Sequence, residues 1–194
     1  LTATPQAPAS GSAPELAAPA AAQGVAPSLG IEGLAPEITP TSEFYTVSKN
    51  FFDPVVPRAS WQLEVTGLVG QPRTFDEAAL HALPATTQYA TLACISNEVG
   101  GDLIGNAQWK GVPLGLLLTE ARVSSSAVDV VFHCHDGYAD SIPIAKALDP
   151  MTLCAYEMNG EPLNDKHGAP LRMIIPDIYG MKNAKWVTKI EVVD

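Results

Sequence analysis

Trp61-Gln62-Leu63-Glu64-Val65-Thr66 alternates apolar and polar residues strictly, which predicts a strand with one wet face. Residues 89–93, 128–133, 152–158, 171–175 and 186–192 predict further strands. In the last of these, Trp186, Thr188, Ile190 and Val192 should share one face, opposite Val187, Lys189 and Glu191. Helical signals are shorter. Thr74-Phe75-Asp76-Glu77 has the form of a capping box opening a helix that Pro84 stops. Pro113 suits a first helical position, with a helix over 114–121, and 145–148 makes at most one turn. Strands outnumber helices, so the pattern predicts an α+β domain built on a mixed β-sheet.

Upstream of Phe44 the hydrophobic period disappears. The first 40 residues are rich in Pro, Ala, Gly and Ser, and proline fixes φ while removing a donor. Residues 1–40 therefore read as an extended or disordered tether, and 41–194 as the folded domain. No apolar run of about 18 residues is present to span a bilayer. The chain starts at Leu1, which fits a processed product or a piece of a longer protein. A formal charge of −10, from 21 acidic against 11 basic residues, argues against nucleic acid or anionic membrane as partners. Three cysteines without CxxC spacing exclude a disulfide scaffold and a zinc ribbon. No GxGxxG or GxxxxGK[ST] segment supports nucleotide binding.

Cys94 ends a predicted strand and precedes Ile95-Ser96-Asn97-Glu98-Val99-Gly100-Gly101. A strand end before a glycine-containing loop suits a ligand or nucleophile, although composition alone leaves a buried structural cysteine open. In His133-Cys134-His135-Asp136 the two histidines should point to one side of a strand and Cys134 to the other, which disfavours a second metal there.

Further segments follow a family pattern in order and spacing. Tyr138-Ala139-Asp140-Ser141-Ile142-Pro143-Ile144 resembles Y-x-x-S-I-P-L. Leu153-Cys154-Ala155-Tyr156-Glu157-Met158-Asn159-Gly160-Glu161-Pro162-Leu163 resembles L-L-A-Y-E-M-N-G-x-P-L. His167-Gly168-Ala169-Pro170-Leu171-Arg172 resembles H-G-x-P-x-R, and Lys185-Trp186 the closing K-W. Upstream, Thr91-Leu92-Ala93-Cys94 with Asn97 resembles T-L-x-C-x-x-N, and Phe44-Tyr45 to Asp53-Pro54 the segment that opens the cofactor site. Over residues 43–194 the chain resembles the molybdopterin domain of the sulfite oxidase family.

That resemblance implies a sulfite-oxidase-type molybdopterin-binding fold and an oxidoreductase working by oxygen-atom transfer. It implies molybdenum on a pterin, with Cys94 as the one protein thiolate, a soft ligand kept deprotonated by the metal. It places Ser48, Lys49, Asn50, Asn97 and Asp136 around the pterin. His167, Arg172, Asn183, Ala184 and Lys185 fall where a pterin phosphate is held. Tyr138 falls at the active-site tyrosine. With Cys94 on the metal, Cys134 and Cys154 remain as a candidate disulfide, which an extracytoplasmic address permits.

The match breaks where sulfite oxidases carry arginines. Glu98 and Val99 stand in place of R-R after the cysteine, and Ser48-Lys49-Asn50 in place of R-N-H. A carboxylate beside the pocket opposes sulfite by ~1 kcal/mol or more. A small neutral substrate such as a sulfoxide fits better. No HPGG segment marks a haem domain, and the chain stops after its last strand. The expectation is a monomeric domain, outside the cytoplasm, exchanging electrons with a separate cytochrome or membrane subunit. Two alternatives stay open: a non-catalytic module of the same fold, and a cysteine hydrolase pairing Cys94 with one of His81, His133, His135 and His167.

Overall fold

The computed structural model describes residues 35–194. Most of the expected tether, residues 1–34, lies outside them. Two five-stranded sheets carry the fold. The first has the order β2 (Arg73–Asp76), β1 (Gln62–Gly67), β10 (Val187–Val193), β5 (Asp129–Cys134), β6 (Ala139–Pro143). Its β1–β10 pair is parallel and the rest antiparallel, so the sheet is mixed as expected. The second runs β3 (Thr86–Ala93), β4 (Ile104–Pro113), β7 (Leu153–Met158). Along the free edge of β7, β8 (Glu161–Pro162) and β9 (Arg172–Ile174) pair one after the other. Three short helices complete it: α1 (Glu77–His81), α2 (Leu114–Glu120) and α3 (Ile144–Ala147).

The main core joins the inner faces of both sheets. Leu63, Val65, Val130, Phe132, Ile190 and Val192 meet Leu114, Leu117 and Leu118 of α2 and Cys154, Tyr156 and Met173 of the second sheet. A second core covers the opposite face of that sheet, with Leu92, Trp109, Leu153, Ala155 and Met158 packed under Phe44. Strand β7 is thus buried on both faces, which explains its nearly unbroken apolar run. All three tryptophans satisfy their indole N–H on backbone carbonyls, of Val187, Ala90 and Asp165.

Several local expectations are corrected. Thr74 caps nothing, because 73–76 is strand β2; Asp76 is the N-cap of α1, accepting from the Ala79 N–H at 2.7 Å. Val187 is fully buried with Ile190 and Val192, since the register with β5 shifts between Val187 and Lys189. That bulge absorbs one residue and moves Val187 to the inner face. Strands β4 and β6 were not anticipated. The three cysteines are all free thiols: Cys134 on β5 and Cys154 on β7 are buried in the main core without a bond between them. Burial pushes both thiols up to about 12.

Residues 37–41 are tied by hydrogen bonds to the second sheet. The Thr39 N–H donates to Asn106, the Asn106 amide donates to the Glu37 carbonyl, and Asn159 donates to Thr39 and Thr41. This strap crosses the second sheet and delivers Phe44 into a slot that Gly105 leaves open. A Cβ at 105 would lie 2.7 Å from the Phe44 ring.

Candidate functional site

A cleft of about 300 Å³ opens between the strap, the end of β3, the β5–β6 turn and the segment 166–186. Strand β3 delivers Cys94 to it. The Cys94 N–H donates to the Leu103 carbonyl, and the Cys94 carbonyl accepts from the Asn97 N–H, so the strand end is held rigidly. Cys94 is half-buried, unlike the other two cysteines.

Cations converge on the cleft from the 166–186 segment, in a chain that is strongly acidic overall. Arg172 is buried against the face of Trp109, with 4.8 Å from its guanidinium carbon to the ring centroid. Its terminal nitrogens donate only to the carbonyls of His167 and Asn183, and its buried Nε has no partner among the described residues. Burial pulls its pKa down to about 10. The Lys185 ammonium sits 4.1 Å from the Trp186 ring centroid and donates to the Lys166 carbonyl. Burial lowers its pKa to about 8, which the Asp53 carboxylate 3.9 Å away only partly offsets. Gly168 lets the two cations stand together. At its φ of +103° a Cβ would lie 3.0 Å from Lys185 and 3.1 Å from Arg172. A buried guanidinium bonded only to carbonyls, beside a desolvated ammonium, is complementary to an anion such as a phosphate.

His167 lines the same wall, buried edge-on to Phe44. Its Nε2–H donates to the Thr41 carbonyl at 3.0 Å, and burial, reinforced by Arg172 and Lys185, lowers its pKa. It is thus a neutral imidazole tied to the strap. Of the backbone donors in the next loop, Asn183 N–H is taken by Gly180. The Asn183 side chain braces the loop, accepting from Ile175 N–H and donating to Tyr179.

Across the cleft Asp136 gathers the strap. One carboxylate oxygen accepts from Asn50 at 2.7 Å and the other from the Tyr138 N–H at 3.0 Å, while Lys49 donates to its carbonyl. Tyr138 lines the cleft, but its hydroxyl is held by the Asp140 carboxylate and the Met181 carbonyl, each at 3.0 Å. Burial and then Asp140 push this phenol up to about 12.

Ser48, Lys49, Cys94, Asp136, Tyr138, His167, Arg172, Asn183, Ala184 and Lys185 all line one cleft. Asn50 stands behind it, on Asp136. Asn97 also lies outside the lining and braces the cysteine loop by accepting from Leu103 N–H at 2.8 Å. Glu98 and Val99 point to solvent and take no part in the lining, so no carboxylate of that loop faces the cleft. Tyr45, Lys166 and Met181 line it without having been singled out. Tyr45 could have been found from its place beside Phe44 in the opening segment. His81, His133 and His135 lie elsewhere, and no histidine is hydrogen-bonded to Cys94 among the described residues, which leaves a cysteine hydrolase without its base.

The model for the oxidoreductase molybdopterin-binding domain matches residues 52–194, so the wall formed by 44–49 lies outside the match. The chain is 33% identical to mitochondrial sulfite oxidase of Drosophila melanogaster over 191 residues, covering 87% of this chain and 33% of that protein. It is 36% identical to inducible NADH nitrate reductase 2 of Glycine max, covering 71% of this chain and 19% of that protein. It is 34% identical to a candidate protein-methionine-sulfoxide reductase subunit of Azospira oryzae, covering 71% of this chain and 50% of that protein. The chain thus spans half or less of each of these three relatives. The sulfane dehydrogenase SoxCD of Paracoccus pantotrophus superposes with a TM-score of 0.77 at 28% identity, over 84% of this chain and 45% of that one. Fold, cleft and similarity agree that the chain belongs to the oxidoreductase molybdopterin-binding family, as a sulfite-oxidase-type domain for a molybdenum–pterin cofactor.

Proposed function

We propose that this domain is the molybdenum-bearing part of an oxidoreductase that moves an oxygen atom to or from a small neutral substrate of the sulfoxide kind. The observation that carries the reading is the convergence of Cys94 with a buried, carboxylate-free Arg172 and a desolvated Lys185 on one cleft. Bound there, the molybdenum–pterin group would supply the two-electron oxygen-atom transfer. Cys94 is the protein's thiolate for the metal. Arg172, Lys185 and Lys166, with the backbone N–H of Ala184, hold the pterin phosphate. Ser48, Lys49 and Asp136 flank the pterin, with Asn50 fixing Asp136, His167 fixing the strap and Asn97 fixing the cysteine loop. Phe44, Leu92 and Trp186 supply apolar walls that limit water.

In the reducing direction a sulfoxide, two protons and two electrons give a sulfide and water. The electrons come from a separate partner, a cytochrome or a membrane subunit, which the Azospira relative's description as a subunit supports. A neutral substrate is favoured because Arg172 is the one arginine that lines the cleft among the described residues, and it is buried among carbonyls. Solvation of Glu98 means that the case against sulfite rests on absent arginines, not on repulsion. An extracytoplasmic location belongs to the same reading.

Metal analysis of protein from a host that makes the pterin tests it. The wild type should carry about one molybdenum per chain and Cys94→Ala almost none. With a reduced dye as donor, the wild type should turn over dimethyl sulfoxide faster than it oxidises sulfite with an oxidised dye. Molybdenum at background in the wild type, or retained in Cys94→Ala, would overturn the assignment.

A further inference from the structure

Two phenols line the cleft, and they are held in opposite ways. The Tyr138 hydroxyl is committed to Asp140 and to the Met181 carbonyl. Asp140 is itself fixed by Lys182 at 2.7 Å and by the Ser141 N–H at 2.8 Å. The single phenolic proton of Tyr138 therefore has two good acceptors within the protein and points at neither Cys94 nor a cleft ligand. The Tyr45 hydroxyl makes no hydrogen bond among the described residues, although its ring is half-buried. Tyr45 shares the cleft lining with Cys94 and Arg172, and it meets Gly180 on the side where the carbonyl of Ala93, the residue before Cys94, also lies.

The protein invests in keeping this hydroxyl where it is. Tyr45 stacks on Phe44 with ring centroids 5.5 Å apart, and Phe44 is locked into the Gly105 slot. The strap is tied before it by Thr39, Thr41 and His167, and after it by Asn50 on Asp136. The hydroxyl rests against Gly180, where any side chain would collide with the Tyr45 oxygen. The hydroxyl is not among the buried unpartnered polar atoms, so it stays open to the cleft as a donor that no protein group has claimed among the described residues. An ordinary phenol is protonated at neutral pH, and burial raises Tyr45 further, so it arrives as a donor.

We propose that Tyr45 is the catalytic hydrogen-bond donor of this site, giving its phenolic O–H to the oxygen of the sulfoxide S=O group beside Cys94, while Tyr138 is a positioning residue of the β5–β6 turn. The proposal rests on the molybdenum reading above. It assigns the donor to the strap rather than to the β5–β6 turn. A donor aimed at the oxygen as it accumulates negative charge lowers the barrier more than it tightens binding, so Tyr45 acts on kcat more than on KM.

Two measurements test it. In cofactor-free protein, N-acetylimidazole should acetylate Tyr45 and spare Tyr138, as read by peptide mass spectrometry; labelling of Tyr138 with Tyr45 spared overturns the assignment of the free hydroxyl. In molybdenum-loaded protein reducing dimethyl sulfoxide, Tyr45→Phe should lower kcat about tenfold or more with little change in KM, and more than Tyr138→Phe does. Gly180→Ala, which pushes the hydroxyl aside, should lower kcat in the wild type but add little on the Tyr45→Phe background. If loaded wild type reduces the sulfoxide and Tyr45→Phe keeps full kcat, the inference falls and the functional reading stands. If loaded wild type shows no turnover, the functional reading falls, and the donor role falls with it.

Discussion

Lys185 shows most directly the charge that the cleft presents to an anion. Its ammonium is desolvated against Trp186, and its pKa falls from 10.5 to about 8. Between about pH 8 and 10.5 the unfolded chain therefore binds more protons at this residue than the folded one. Stability linked to Lys185 must rise with pH across that window, the burden being full below 8 and gone above 10.5. Other groups move the opposite way, notably the raised thiols of Cys134 and Cys154. The test is consequently a difference: urea unfolding of cofactor-free wild type against Lys185→Gln from pH 7.5 to 10. The wild type should gain relative to the variant as pH rises, and millimolar pyrophosphate should flatten the trend by pairing the charge. A pH-independent gap would mean that Lys185 is solvated. The lysine's place on the cleft was legible from the K-W pair, but its desolvation was not. That depends on Trp186 and Lys166, which close over it from different segments. Asn183 illustrates the reverse: its position was readable, yet its side chain and N–H are spent on bracing its own loop.

Elements were legible where one face alternates and illegible where the alternation is made of small residues. Strand β1 shows Leu63 and Val65 against Gln62 and Glu64, and it is found where expected. Strand β4 buries Gly105, Ala107, Trp109 and Gly111, a face whose two glycines carry no hydrophobic signal because Phe44 and the β7 backbone occupy the space. Its wet face looks like a loop. Strand β10 alternates, but a bulge after Val187 shifts the phase, which no periodicity in a single strand announces. The start of α1 was misplaced for a related reason: Thr74 satisfies the capping-box spacing, yet Phe75 must reach the main core as part of β2, so tertiary packing moves the cap to Asp76. Asp76→Ala should cost ~1 kcal/mol and Thr74→Ala clearly less, since Thr74 is an exposed residue of an edge strand. Equal costs in urea titrations would return the cap to Thr74.

At the scale of the whole molecule, two sheets share the main core, and the strap turns the outer face of the second sheet into a site. Without the strap, Trp109, Ala155 and Met158 would face water, and Arg172 would lie open to solvent on the Trp109 ring. Residues 37–41 hold no cleft-lining position themselves. They contribute the carbonyls and hydroxyls that Asn106, Asn159 and His167 bind, and thereby fix where Phe44 and Tyr45 enter. Net hydrogen bonds of this kind are worth about 1 kcal/mol each, and leaving His167 and Asn159 unpaired at a buried junction adds to the loss. A chain of residues 35–194 should therefore unfold at clearly higher urea than one of residues 42–194, by about 2–4 kcal/mol. The m-value should change little, because the main core is untouched by the cut. The shorter chain should also bind pyrophosphate more weakly, since the wall opposite Arg172 loses its anchor. Equal midpoints and equal pyrophosphate affinity would mean that Phe44 in its slot holds the strap alone, and that the polar ties from 37–41 add nothing to the architecture of the cleft.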